Sequence, residues 1–259
     1  MSTQVLRESP YLSIVVPCYN GAPFVQASLT RLCGYLSDHA AVLGVPEILL
    51  VDDGSTDDTA QRVADSFPEL RLLRHDRNRG KGAAVRTGVL AARGQFIFFL
   101  DADIPYDLTP LERMLDYLDR KEFHACIGTR SRSDAAIHTP HSVVRRISSW
   151  VFTEFVSRIV VTGVKDTQCG FKGFRREEAR YLFGESRVDN FAFDVEVLYL
   201  AFKADLDVKR IPVQLTMDDY SSVSLWRHPL PMLLALLRLP IRYHTGGYRP
   251  YLPTVPEIQ

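Results

Sequence analysis

Four short runs in the first hundred residues are apolar without alternation: Leu12–Pro17, Glu47–Val51, Leu70–Leu73 and Gln95–Leu100. Such runs predict strands buried on both faces, as in a parallel sheet. Between them, Pro23–Tyr35, Asp57–Phe67 and Gly82–Arg93 space their apolar residues three or four apart, which predicts helices with one buried face. Strands and helices in alternation predict an α/β fold. Beyond Arg130 the alternation weakens. A polar stretch reaches Ser142, a helix is predicted over Val143–Val161, another around Phe193–Lys203, and a strand around Val208–Leu215. No linker-like composition interrupts the chain, so one domain is expected, with a C-terminal tail.

Composition narrows the class. With 46% hydrophobic and 24% charged residues, the chain can bury a core and is neither disordered nor collagen-like. Its four cysteines form no CxxC pair, which removes zinc ribbons and disulfide scaffolds and fits a reducing cytoplasm. Met1–Pro10 lacks the apolar stretch of a secretory signal, and no run approaches the ~20 apolar residues of a membrane span. Basic and acidic residues both total 31, so no nucleic-acid partner is expected. The balance hides a division: residues 47–119 hold 14 acids against 9 bases, and residues 120–180 hold 12 bases against 6 acids. The two regions are suited to ligands of different charge.

In open α/β sheets ligands sit beyond the carboxyl ends of the strands. Asp101-Ala-Asp103 follows the fourth apolar run, and in an extended segment both carboxylates would face the cleft with Ala102 towards the core. Paired carboxylates of this kind suit Mg²⁺ or Mn²⁺ bound together with phosphate oxygens. Asp52 and Asp53 end the second run, where they can accept hydrogen bonds from a base or sugar edge or merely organise a turn. Arg77-Asn-Arg-Gly-Lys-Gly82 opens a helix, a setting that favours an anion. It is not a phosphate-binding loop of the Gly-x₄-Gly-Lys-Ser/Thr type, and no Gly-x-Gly-x-x-Gly is present.

Taken in order, Pro17-Cys-Tyr-Asn20, Val51-Asp-Asp-Gly-Ser-Thr-Asp57, Asn78-Arg-Gly-Lys-Gly82 with Ala84-Val-Arg86, and Asp101-Ala-Asp103 resemble the inverting GT-A glycosyltransferases of family 2. Gly128-Thr-Arg130, Asp166-Thr-Gln-Cys-Gly-Phe-Lys172 and Phe193-Asp-Val-Glu196 resemble its polyprenyl-phosphate branch. The resemblance implies a GT-A fold over residues 12–227, with a nucleotide-sugar half (12–107) and an acceptor half (108–227), between a tail at 1–11 and a C-terminal helix and tail at 228–259. It implies that Pro17, Tyr19, Asn20, Asp52, Asp53, Lys81, Arg86, Asp101, Ala102 and Asp103 bind the donor, with Asp101 and Asp103 on Mg²⁺ or Mn²⁺. Arg130, Arg132, Arg145 and Lys172 are the candidates for an acceptor phosphate, and Asp103 and Asp166 for catalysis. Asp166 fits a general base and a turn anchor equally well. The chain departs from the pattern at Gly21, Pro105 and Ser222, where relatives carry an acid, a glutamine and a lysine.

The expected reaction is transfer of a hexose, glucose in the first instance, from UDP-glucose or GDP-mannose to a polyprenyl phosphate. Transfer to a soluble saccharide hydroxyl, and nucleotide-sugar binding without catalysis, are the alternatives. His228–Pro240 is apolar nearly all round and flanked by Arg227 and Arg242, but too short to span a bilayer. It suits an interfacial helix at the cytoplasmic membrane face, a core helix or a homo-oligomer contact alike.

Overall fold

The structure, a computed structural model, describes residues 10–130, 169–216 and 229–252. Among the described residues the strands are β1 (Leu12–Cys18), β2 (Glu47–Asp52), β3 (Arg71–Arg74), β4 (Phe96–Phe99), β5 (Ala125–Arg130), β6 (Lys172–Arg175) and β7 (Val208–Val213). They form one sheet in the order β3-β2-β1-β4-β6-β5-β7. β3, β2, β1 and β4 pair in parallel, β6 runs antiparallel to both of its neighbours, and β5 pairs in parallel with β7. The mostly parallel α/β fold expected from the sequence is therefore present, with one reversed strand that the sequence pattern did not reveal. The helices are α1 (Val25–Asp38), α2 (Ala40–Leu43), α3 (Thr59–Ser66), α4 (Lys81–Ala91), α5 (Pro110–Asp119), α6 (Arg176–Glu185), α7 (Phe193–Lys203) and α8 (Pro229–His244).

Alternate residues of the central strands feed two separate cores, because successive side chains of a strand point to opposite faces. Val15, Leu49, Val51, Ile97 and Phe99 pack under α4, α6, α7 and α8. Ile14, Val16, Leu50, Phe96 and Phe98 pack under α1, α3 and α5. Helices on both faces explain why these strands read as unbroken apolar runs. The outermost strand β3 is only partly buried, so the expectation of burial on both faces fails there. The predicted helix over Val143–Val161 lies outside the described residues, as do Arg132, Arg145 and Asp166.

At the amino edge of the sheet, Glu47 joins three segments. Its Oε2 accepts hydrogen bonds from Ser13 Oγ at 2.7 Å and the Arg93 N–H at 2.8 Å, and Arg71 pairs with its Oε1. Burial opposes ionisation, but these hydrogen bonds and the Arg71 charge hold the Glu47 carboxyl below its ordinary range. A depressed carboxyl contributes stability above its unfolded value, and that contribution is lost as pH falls through the folded one. Glu47→Gln is therefore expected to remove about 1–2 kcal/mol at neutral pH. In urea titrations the difference from wild type should shrink in acid; a gap that stays constant down to the acid limb would contradict this linkage.

Candidate functional site

The carboxyl ends of β1, β2 and β4 carry the polar residues that the sequence singles out. The register pairs Cys18 with Asp52 and Asp52 with Arg74, so the turns after β1, β2 and β3 open at one level. Pro17 is buried within β1, while Tyr19 and Asn20 are exposed just beyond it. Asn20 has a φ of 50°, and its side-chain oxygen accepts the Thr56 N–H at 2.9 Å, tying the first turn to the second.

Asp52 and Asp53 occupy different surroundings. Asp52 is fully buried; its Oδ1 accepts the Ser55 N–H at 2.9 Å, and its Oδ2 lies 3.1 Å from Arg74 Nε without an aligned hydrogen bond. Arg74, itself half exposed, also donates to the Ser55 carbonyl at 3.2 Å and so covers that free oxygen. Asp53 holds the following loop: its Oδ1 lies 2.7 Å from His75 Nδ1 and accepts the Arg79 N–H at 2.9 Å, and its Oδ2 accepts the Gly80 N–H at 2.8 Å. His75 Nε2 is 2.9 Å from Thr87 Oγ1, which anchors the loop to α4.

Asp101-Ala-Asp103 does not lie in an extended segment as the alternation argument assumed. It forms a turn beyond β4, closed by a hydrogen bond from the Ile104 N–H to the Asp101 carbonyl at 3.0 Å. Ile104 has a φ of 43°, a conformation that a β-branched residue adopts only under strain, and its buried side chain holds it there. Tyr106 fixes the turn further: its hydroxyl accepts the Asp101 N–H at 2.8 Å and donates to the Gly170 carbonyl at 2.7 Å. Any side chain at Gly170 would overlap the Asp101 carboxylate, so glycine is required for this close approach. Ala102 is partly buried against the core, as expected.

Alternating charges converge on this turn. Lys81, the first residue of α4, donates to Asp101 Oδ1 at 2.5 Å and lies 5.8 Å from the centre of the Phe191 ring. Burial, and then the nearby Asp101 charge, push the Asp103 carboxyl up to about 6, with Lys81 and Arg31 opposing. Burial works against the Lys81 ammonium, yet the Asp101, Asp194 and Asp103 carboxylates raise its pKa. Beneath this pair, Lys172 donates to Asp194 Oδ1 at 2.5 Å and to the Cys169 carbonyl at 2.6 Å, with its ammonium 5.2 Å from the Phe99 ring centre. Both side chains are almost wholly inaccessible.

The structure thus unites Asp52, Asp53, Lys81, Asp101 and Asp103 at one rim. Lys172 reaches the same cluster from below, committed to Asp194 and with only 1% of its side chain exposed. Arg86 turns away to the 186–190 connection, pairing with Asp189 at 2.5 Å. Arg130 is exposed at the carboxyl end of β5, on the site's side of the sheet. Arg175, another cation of the basic region, pairs in register with Phe96 at the opposite edge. Sequence reading overlooked the roles of Tyr106 and Arg31. A tyrosine three residues past the Asp-x-Asp was a usable signal for the first; for Arg31, midway along α1, there was none.

Comparison with known proteins gives consistent results. The sequence profile of glycosyl transferase family 2 matches residues 13–183. The dolichyl-phosphate beta-glucosyltransferase of Dictyostelium discoideum is 34% identical over 250 residues, covering 92% of this chain and 76% of that protein. Its counterpart in Homo sapiens is 33% identical over 255 residues, covering 92% and 77%. Among solved structures, glucosyl-3-phosphoglycerate synthase from Mycobacterium tuberculosis, in complex with Mn²⁺, UDP-glucose and phosphoglyceric acid, superposes with a TM-score of 0.64 at 16% identity, covering 89% of this chain and 79% of that one. Mannosyl-3-phosphoglycerate synthase from Rubrobacter xylanophilus gives 0.65 at 14%, covering 96% and 79%. These two likenesses establish the shared fold.

Proposed function

Because this chain belongs to glycosyl transferase family 2 and is a glycosyltransferase, we propose that it moves glucose from UDP-glucose to a dolichyl-type polyprenyl phosphate, inverting the anomeric carbon. The observation that carries the acceptor is the likeness to relatives of that name at 33–34% identity across 92% of the chain. GDP-mannose and saccharide hydroxyl acceptors are the competing chemistries.

The donor binds at the carboxyl ends of β1, β2 and β4. Asp52 meets the base edge once Arg74 moves off its Oδ2, and Asp53 shapes the neighbouring loop. Asp101 and Asp103 would hold Mg²⁺ or Mn²⁺. The donor set suits a hard divalent ion: two carboxylates share one turn, Asp103 being raised to about 6 by burial and then by the Asp101 charge, and among the described residues no third His, Cys, Asp or Glu joins them. Such an ion would take its other ligands from phosphate oxygens and water. When bound, such an ion neutralises charge on the departing diphosphate. Lys81, now on Asp101, adds a cation at the same place.

A phosphate acceptor is already ionised at neutral pH, its second pKa being near ~6, so little proton removal is needed. Arg130, together with Arg132 and Arg145, receives it, and Asp166 takes any proton that must leave. Lys172 supports the site from beneath, since its ammonium is bound to Asp194. In α8, Leu236 and Leu239 are buried against the core while Leu234, Leu237 and Ile241 form an exposed stripe. This stripe rests on the cytoplasmic membrane face, where the lipid acceptor resides. Among the described residues no helix is long and apolar enough to cross a membrane.

Incubating the purified protein with labelled UDP-glucose or GDP-mannose, Mn²⁺ and polyprenyl phosphate tests this directly. Label from UDP-glucose is expected in the organic phase. Label from GDP-mannose instead, or label only on water-soluble saccharides, would overturn the assignment.

A further inference from the structure

Glu196 is fully buried on α7, and a buried carboxylate must be met by donors. Its Oε2 accepts the backbone N–H groups of Arg187 at 2.9 Å and Val188 at 2.7 Å. Its Oε1 accepts the Tyr248 hydroxyl at 2.6 Å, with Arg242 Nη1 3.6 Å away. One oxygen therefore secures the connection between α6 and α7, and the other secures the end of α8 and the tail that follows it.

That connection continues to the donor rim. The Asp189 carbonyl accepts the N–H of Gly82 at 2.8 Å and of Ala83 at 3.3 Å, two amides of the first turn of α4. The helix start that the sequence marks as an anion site is thus partly occupied by the protein's own backbone. Side chains on Gly80 or Gly82 would overlap the carbonyls of Asp189 and Val188, so these two glycines let the connection lie flat against α4. Lys81 stands between them, and its ammonium reaches Asp101.

We propose that Glu196 is a positioning residue for glycosyl transfer: by fixing residues 187–189 it sets the first turn of α4, and so the seat of Lys81 on Asp101. Through Tyr248 and Arg242 it makes that seat depend on how the C-terminal helix is docked. The path is contiguous, Tyr248 to Glu196 to Val188 and Asp189 to Gly82 to Lys81 to Asp101, and Glu196 itself meets none of the reacting groups. The inference rests on the reading of Lys81 and Asp101 as donor-site residues given above.

A double-mutant cycle tests it. Glu196→Gln keeps the size of the side chain but cannot accept hydrogen bonds on both arms. It is expected to lower kcat/KM for UDP-glucose roughly tenfold, chiefly through KM. In a Lys81→Met background the same change should add less than about twofold, because coupled residues are not additive. A merely structural role would shift the thermal midpoint and leave the two effects independent. Additive effects, or an unchanged KM in folded Glu196→Gln, overturn the proposal. Should Glu196→Gln not fold, Tyr248→Phe serves, since it leaves both bonds to the connection in place. A several-fold rise in KM that disappears with Lys81→Met supports the coupling, and a wild-type KM removes it. An active wild type with an additive cycle overturns the role of Glu196 alone. A wild type that neither binds UDP with Mn²⁺ in calorimetry nor turns over UDP-glucose takes the donor-site reading down with it.

Discussion

Asp103→Ala is expected to lower kcat/KM by roughly 10³-fold while raising the melting temperature at neutral pH. On the donor site proposed above, the loss follows from removing one of the two carboxylates that would hold a divalent ion, an interaction worth several kcal/mol at a departing diphosphate. The gain in stability follows from the sign of the Asp103 shift. Its carboxyl stands at about 6 against an ordinary 3.8, raised by burial and then by Asp101. A raised carboxyl contributes stability that is fully present below the unfolded value and is lost as pH rises through the folded one. Ionised Asp103 therefore opposes folding above about pH 6, and alanine relieves that opposition. Scanning calorimetry at about pH 4 and about pH 7.5 should find the variant's advantage only at the higher value. An Asp103→Ala protein with near-normal turnover would remove the carboxylate pair from the reaction, and one destabilised at both pH values would refute the electrostatic account.

The second large effect falls on folding. Lys172→Met leaves the Asp194 carboxylate inside the protein without its 2.5 Å partner. Breaking a buried ion pair from one side typically costs about 3–5 kcal/mol. Burial already raises the Asp194 carboxyl, with Lys172 and then Lys81 pulling it down, so losing Lys172 raises it further. By the same sign argument the variant should be least stable at high pH and recover as pH falls and Asp194 takes up a proton. The pair Lys172→Met with Asp194→Leu should regain much of the loss, since apolar replacements of buried ion pairs are often neutral. Urea unfolding of the two variants decides the matter: if the double variant is no more stable than the single, the damage comes from packing and not from an orphaned charge.

The legible part of the fold is the part whose burial is symmetric. β1, β2 and β4 are enclosed on both faces and wrote themselves as unbroken apolar runs, and α1, α3 and α4 followed from periodicity to within a few residues. β6, Lys-Gly-Phe-Arg, has no such signature; it is a strand because β4 and β5 supply partners on both sides. The same limit governs the site. Asp101 and Asp103 were visible because their spacing is local. Lys172 reads as a phosphate cation because its partner lies 22 positions away and only the fold brings them together. The start of α4 reads as an anion cradle because the carbonyl that partly occupies it comes from residue 189.

β6 also decides how the molecule can be divided. Residues 12–107 look like a portable cassette, four parallel strands and their helices, yet the outermost of these strands, β4, is Phe-Ile-Phe-Phe, buried throughout. Among the described residues, the free edge of that strand is covered by β6, a segment from beyond residue 107. A bare strand of this composition is an invitation to self-association. Cutting the chain after residue 107 would therefore yield a sticky remnant and not an independent unit, and any chimera joined there must carry residues 172–175 along with the strands that they complete.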